Sequence, residues 1–207
     1  MIDLVIGRRE QGKTTLAVYM ASKVPARMIF DPRGMIRRPG AVIVHTAEDL
    51  RSAMDALAEG EIAEVVYAPH EDDLEEAFRA FSEELRLWII ERPRQKLAAL
   101  VDEISFVSLD VPAFEWACKC SLRDRIHIIM TCHRPADVPV PVRTIADTWM
   151  LFPCRQEHDL DTIKRRCSPA VADKVAKLHD RQFVVWDDTN ASSRVYDDPS
   201  GWFLRLS

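Results

Sequence analysis

Residues Gly7-Arg8-Arg9-Glu10-Gln11-Gly12-Lys13-Thr14 follow the pattern G-x-x-x-x-G-K-[ST]. No other run constrains the chain as much, because this pattern works only between a strand and a helix. Both flanks are present. The apolar run Ile2-Asp3-Leu4-Val5-Ile6 can form a buried strand, and Thr14-Thr15-Leu16-Ala17-Val18-Tyr19-Met20-Ala21 can open a helix. The two glycines let the backbone bend so that successive N–H groups point at one phosphate. The helix start adds the positive end of its dipole. In such a loop Lys13 reaches the β- and γ-phosphates, the Thr14 hydroxyl can ligate Mg²⁺, and Gly7, Gln11 and Gly12 shape the turn.

Downstream, short β-branched runs alternate with helical periods, which predicts a three-layer α/β domain with a mainly parallel sheet. Expected strands are Leu4–Ile6, Arg27–Phe30, Ala41–His45, Glu64–Tyr67, Leu97–Val101, Ile126–Thr131, Thr148–Phe152 and Gln182–Trp186. The clearest helix is expected from about Asp73 to Ile90. There Leu74, Ala77, Phe78, Phe81, Leu85, Trp88 and Ile89 recur at i, i+3, i+4 spacing. Its acidic start, Glu71 to Glu76, suits a helix dipole better than a metal. Ser168-Pro169 reads as an N-cap and first-turn proline for a helix to about Leu178. From Trp186 to Ser207 a short β extension is expected, with a turn at Asp187-Asp188-Thr189-Asn190 and a return strand at Arg194-Val195-Tyr196.

A length of 207 residues suits one domain spanning 1–207. No stretch approaches a membrane span, and the chain opens directly into its first strand, so the expected location is the cytoplasm. The five cysteines are scattered and read as reduced thiols. A net charge of −5 excludes a simple basic coat for nucleic acid. Charge is locally biased, however. Arg33, Arg37 and Arg38 lie in a loop opened by Asp31-Pro32 and punctuated by Gly34 and Gly40. That loop is either a solvated surface turn or a site for phosphate-backbone contact.

Nucleotide hydrolysis needs a second element, and Leu97-Ala98-Ala99-Leu100-Val101-Asp102-Glu103 supplies it. An apolar strand ends in two carboxylates at its carboxyl edge, where ligands bind in such sheets. Asp102 suits the Mg²⁺ shell. Glu103 can orient and activate water for in-line attack. No Asn-Lys-x-Asp run for reading guanine is present, so ATP is the expected nucleotide.

A third element runs Arg125-Ile126-His127-Ile128-Ile129-Met130-Thr131-Cys132-His133-Arg134-Pro135. Asp137-Val138-Pro139-Val140-Pro141-Val142-Arg143 continues it, followed by Ala146-Asp147 and the apolar run Thr148–Phe152. With Gly7–Thr14 and Leu97–Glu103 before it, this run resembles the FtsK–HerA superfamily of ring ATPases. There the strand beside the Asp-Glu strand ends in Thr-Gln-Arg-Pro, and a dipping loop leads to an Ala-Asp strand. Here His133 stands where glutamine is usual. The small size is similar to the genome-packaging ATPases of membrane-containing tailless viruses.

The resemblance implies a P-loop NTPase of RecA-like (ASCE) type that hydrolyses ATP with Mg²⁺. It also implies double-stranded DNA as substrate, a homomeric ring (a hexamer), and a capsid or portal vertex as partner in the host cytoplasm. By position it makes His133 the γ-phosphate sensor and Thr15 an α-phosphate contact. It places an arginine that reaches the neighbour's ATP at Arg123, with Arg125 the second candidate. Two other readings are a phage assembly, export or conjugation-type motor, and a nucleotide-dependent switch that translocates nothing.

Overall fold

The computed structural model describes residues 1–70, 74–108, 111–120 and 125–197. Its strands are β1 (Ile2–Ile6), β2 (Ala26–Phe30), β3 (Val42–Val44), β4 (Glu64–Tyr67), β5 (Leu97–Val101), β6 (Ile126–Cys132), β7 (Thr148–Leu151), β8 (Phe183–Asp187) and β9 (Ser192–Tyr196). They form a sheet in the order β3-β4-β2-β5-β6-β1-β7-β8-β9. β1 runs parallel to β7, β2 to both β4 and β5, and β3 to β4, while β7–β8 and β8–β9 are antiparallel. The fold is therefore the expected α/β architecture with a mainly parallel sheet and a C-terminal β extension. The helices are α1 (Lys13–Ala21), α2 (Ala47–Glu59), α3 (Leu74–Glu91), α4 (Pro112–Cys120), α5 (Val140–Ile145), α6 (Glu157–Arg166) and α7 (Pro169–Lys177).

Two compact units separate. One comprises Met1 and Met20–Ile129; the other comprises Ile2–Tyr19 and the chain from Met130 onward. In the first, every residue of β4 and β5 is buried, as expected of parallel strands covered on both faces. Phe30 sits at the centre of an aromatic cluster, edge-on to Tyr67, Phe78 and Phe81 at 5.4–5.9 Å. Phe114 of α4 completes it, 5.1 Å from Phe78. Each such ring contributes on the order of 2–3 kcal/mol by leaving water. α3 buries Ala77, Phe78, Phe81, Leu85 and Trp88, the face that the periodicity predicts, and Glu75 and Glu76 stand in its first turn. Glu71, Asp72 and Asp73 lie outside the described residues.

In the second unit β1 is buried throughout. Its first N–H, on Ile2, donates to Asp147 Oδ2 at 2.8 Å. Phe152, Phe183 and Tyr196 stack in sequence at 5.3 Å spacings. This stack seats the C-terminal hairpin, whose return strand falls where Arg194-Val195-Tyr196 predicts it. Ser168 caps α7 by accepting from Val171 N–H at 3.2 Å.

One segment departs from expectation. Asp137 to Arg143, expected as a loop between the sixth strand and the Ala-Asp strand, follows a 3₁₀ turn (Pro135–Asp137) with the short helix α5. Its prolines argue for an extended chain, yet Pro139 is the N-cap and Pro141 lies in the first helical turn. There the missing N–H has no helical partner to lose, so proline is tolerated.

Candidate nucleotide site

The phosphate loop leaves the carboxyl end of β1 and is stitched down by its own residues. Gln11 Oε1 accepts from Arg8 N–H at 2.6 Å, and Gln11 Nε2 donates to the Pro153 carbonyl at 3.4 Å. One side chain thus ties the loop to itself and to the end of β7. Gly7 N–H donates to the Cys132 carbonyl at 3.1 Å. A Cβ on Gly7 would lie 2.5 Å from Phe152 Cβ and 2.6 Å from Gln11 Oε1, so only glycine fits this approach. Gly12 takes φ +92 where the loop turns into α1, a conformation open to glycine and costly for other residues.

Lys13 is 5% exposed. Its Nζ donates to the Arg8 carbonyl at 3.0 Å and stands 3.4 Å from His133 Nδ1. An ammonium has donors only, so Nδ1 must accept. With Nδ1 accepting, the ring N–H is the one on Nε2. The structure brings together Gly7, Gln11, Lys13 and His133, which the sequence names from runs more than a hundred residues apart. Thr14 is half-buried and Thr15 exposed at the start of α1.

Beside the loop lies a cavity of about 220 Å³ lined by Gly7, Arg8, Arg134, Phe152, Cys154 and Asp159, among others. Asp159, in the first turn of α6, is 2% exposed. Its Oδ2 accepts from Arg134 Nε at 3.1 Å and from the Cys154 thiol at 3.7 Å. That hydrogen bond and the carboxylate charge raise the Arg134 pKa further. Burial, reinforced by the Asp159 charge, raises that of Cys154, which keeps it a thiol. Asp159 Oδ1 has no hydrogen-bond partner among the described residues. Sequence reading assigns nothing to Asp159 or Cys154. They reach this cavity through tertiary packing, and no local pattern marks them.

The two carboxylates stand where β5 predicts them. Asp102 N–H donates to the Phe30 carbonyl at 3.0 Å, extending the β2–β5 ladder by one residue. Glu103, 4% exposed, leaves the strand at φ 53, ψ 60. This left-handed conformation costs a residue with a Cβ about 1–2 kcal/mol, and such strain concentrates at functional sites. Arg33 Nη1 approaches Glu103 Oε1 to 4.0 Å.

The remaining arginines divide. Arg38 Nε pairs with Glu64 Oε1 at 3.0 Å, and Glu64 also holds Arg27 at 2.7 Å. Arg33 and Arg37 are exposed. Arg125 immediately precedes β6, whereas His133 immediately follows it. Arg123 lies outside the described residues. Among the described residues no helix is long and apolar enough to cross a membrane.

No protein-family model matches the chain, and no curated protein matches it. Solved structures do. The genome packaging NTPase B204 from Sulfolobus turreted icosahedral virus 2, in complex with AMPPCP, is 19% identical with a TM-score of 0.76, covering 95% of this chain and 97% of its own. B204, the DNA-packaging ATPase from Sulfolobus turreted icosahedral virus, is 21% identical with a TM-score of 0.71, covering 95% and 97%. VirB4 of Thermoanaerobacter pseudethanolicus is 12% identical with a TM-score of 0.64, covering 95% and 88%. At these identities the likeness is one of fold, and it is consistent with the resemblance carried by the three motifs.

Proposed function

We propose that the chain is an ATP-hydrolysing motor that moves double-stranded DNA and packages a viral genome into a preformed capsid. The observation that carries this reading is the buried Lys13, drawn between a loop carbonyl and His133. It occurs in a chain whose fold matches packaging ATPases over nearly its whole length. In this reading Lys13 and the loop N–H groups hold the β- and γ-phosphates, and Thr15 contacts the α-phosphate. The nucleoside occupies the cavity beside the loop, where Asp159 Oδ1 accepts from an N–H or O–H of the ligand. The Thr14 hydroxyl and the buried Asp102 carboxylate are hard oxygen donors that would hold Mg²⁺, which when bound would supply positive charge against the phosphates. Glu103 activates the attacking water. His133, with its proton on Nε2, donates to a γ-phosphate oxygen in place of a glutamine amide.

Translocation needs a ring and a track. A homomeric ring, a hexamer, brings the loops carrying Arg33 and Arg37 to a common channel. Contact there is with the phosphate backbone and reads no sequence. Arg123, or failing that Arg125, reaches the neighbour's ATP and stabilises transition-state charge. The ring acts in the host cytoplasm at a capsid vertex. Displacement of a third strand from triplex-bearing duplex tests the reading. ATP-dependent displacement, lost in Lys13→Ala, is the expected outcome. ATP hydrolysis with no displacement under any condition would leave a switch or a non-translocating ATPase.

A further inference from the structure

The cavity beside the phosphate loop has apolar walls. Leu151 and Phe152 come from β7 and its end, Pro135 from the turn after β6 and Ile163 from α6, and all four are buried. Walls of this kind suit the flat face of a base better than a sugar or a phosphate. Asp159 and Ile163 stand four residues apart, on one face of α6, and both line the cavity. The helix therefore brings a carboxylate into an otherwise apolar part of the wall.

The two oxygens of that carboxylate are not alike. Oδ2 accepts from Arg134 Nε at 3.1 Å and from the Cys154 thiol at 3.7 Å. Oδ1 has no hydrogen-bond partner among the described residues. Two donors on one oxygen fix the rotation of the group, so the direction of Oδ1 is fixed with it. The side chain is 3% exposed, and a buried acceptor left unmet is costly. A carboxylate paired with a guanidinium only accepts, so Oδ1 calls for a donor carried by the ligand. It has room for one. Guanine offers two neighbouring N–H donors that together suit both oxygens of a carboxylate, and Oδ2 is already committed. Adenine carries one amino group, at the place where guanine has an oxygen.

We infer that Asp159 selects the base: its Oδ1 accepts from the 6-amino group of adenine and turns away a purine whose 6-oxo group would set acceptor against acceptor. The inference rests on the reading of the cavity as the nucleoside site and adds which part of the nucleoside is read. Asp159 touches the base and not the phosphates; it determines specificity and takes no part in hydrolysis. The same geometry dictates what an amide would do. In Asp159→Asn the donors on Arg134 and Cys154 hold the amide oxygen in the place of Oδ2, so the NH₂ falls in the place of Oδ1. An acceptor becomes a donor, and a 6-oxo purine becomes the better ligand.

The test is calorimetric titration of the full chain, wild type and Asp159→Asn, with four nucleotides: ADP, purine riboside diphosphate, IDP and 2′-deoxy-ADP. Purine riboside diphosphate lacks only the amino group, and IDP carries the 6-oxo group. Wild type is expected to bind ADP about 10- to 100-fold more tightly than purine riboside diphosphate, the loss usual for one hydrogen bond to a charged group. It should bind 2′-deoxy-ADP as tightly as ADP. Asp159→Asn should lose the preference for ADP over purine riboside diphosphate and bind IDP more tightly than ADP, a gain that a damaged fold does not give. Equal binding of ADP and purine riboside diphosphate by wild type overturns the inference without need of the variant. So does a preference for ADP that persists undiminished in Asp159→Asn, or a loss confined to 2′-deoxy-ADP, which would move the contact to the ribose. If wild type hydrolyses ATP and purine riboside triphosphate with the same kcat/KM, the reading of the base falls and the ATPase stands. If wild type binds none of the four, the nucleotide site falls and the inference falls with it.

Discussion

The phosphate loop and the carboxylate strand hold their chemistry in opposite ways. Around the loop the ties are hydrogen bonds of 2.6–3.4 Å, from Arg8 N–H to Gln11, from Gln11 to Pro153 and from Lys13 to the Arg8 carbonyl. Gly7 is packed too tightly for any side chain. Around Glu103 the backbone is left-handed, and Arg33 Nη1 stands 4.0 Å from its Oε1. In the proposed motor the first arrangement preorganises donors for a phosphate, and preorganisation removes a reorganisation cost from each turnover. The second sets a buried carboxylate on a strained backbone, and such strain concentrates at functional sites. The difference teaches that two buried groups can be positioned by different means, one by close hydrogen bonds and one by the conformation of the backbone.

Four substitutions break or sharpen that contrast. Lys13→Ala should abolish turnover and weaken ATP binding, because the phosphates lose their cationic partner; phosphate release and nucleotide titration measure the two effects. Glu103→Gln should keep ATP affinity and slow hydrolysis about 10²–10⁴-fold, the usual loss when a general base is removed. A silent Glu103→Gln beside a severe Asp102→Asn would move water activation away from Glu103. His133→Ala should cost about a hundredfold, the loss typical of one preorganised donor, whereas His133→Gln should keep most activity because an amide can still donate. Equal rates for His133→Ala and wild type would make the Lys13–His133 contact structural. Gly7→Ala is the mildest of the four. Its methyl meets Phe152, and overpacking of this kind costs about 1–3 kcal/mol, measurable as a lower denaturant midpoint. An unchanged midpoint would show that the loop is less tightly fixed than its hydrogen bonds suggest.

What could be read from the sequence follows the same division. The strands were legible because buried parallel strands need unbroken apolar runs, and β4 and β5 have them. The loop was legible because all its parts lie within eight consecutive residues. α5 was not, since Pro139 and Pro141 look like breakers until they are seen to sit at a helix start. Two ion pairs were equally hidden. Arg134–Asp159 and Arg33–Glu103 join residues far apart in the chain, and two charges that meet only after folding leave no periodicity or spacing to find. Arg38 shows the converse. In the sequence it is one of three equivalent loop cations, and in the fold it serves Glu64.

Turnover of ATP by the wild-type chain, measured with and without double-stranded DNA over a rising protein concentration, tests the central claim most directly. The rate per subunit should rise with concentration, as sites are completed by an arginine from the neighbour, and duplex DNA should raise it further. A rate per subunit that is independent of concentration and unmoved by DNA would contradict both the ring and the motor, and would leave a monomeric ATPase.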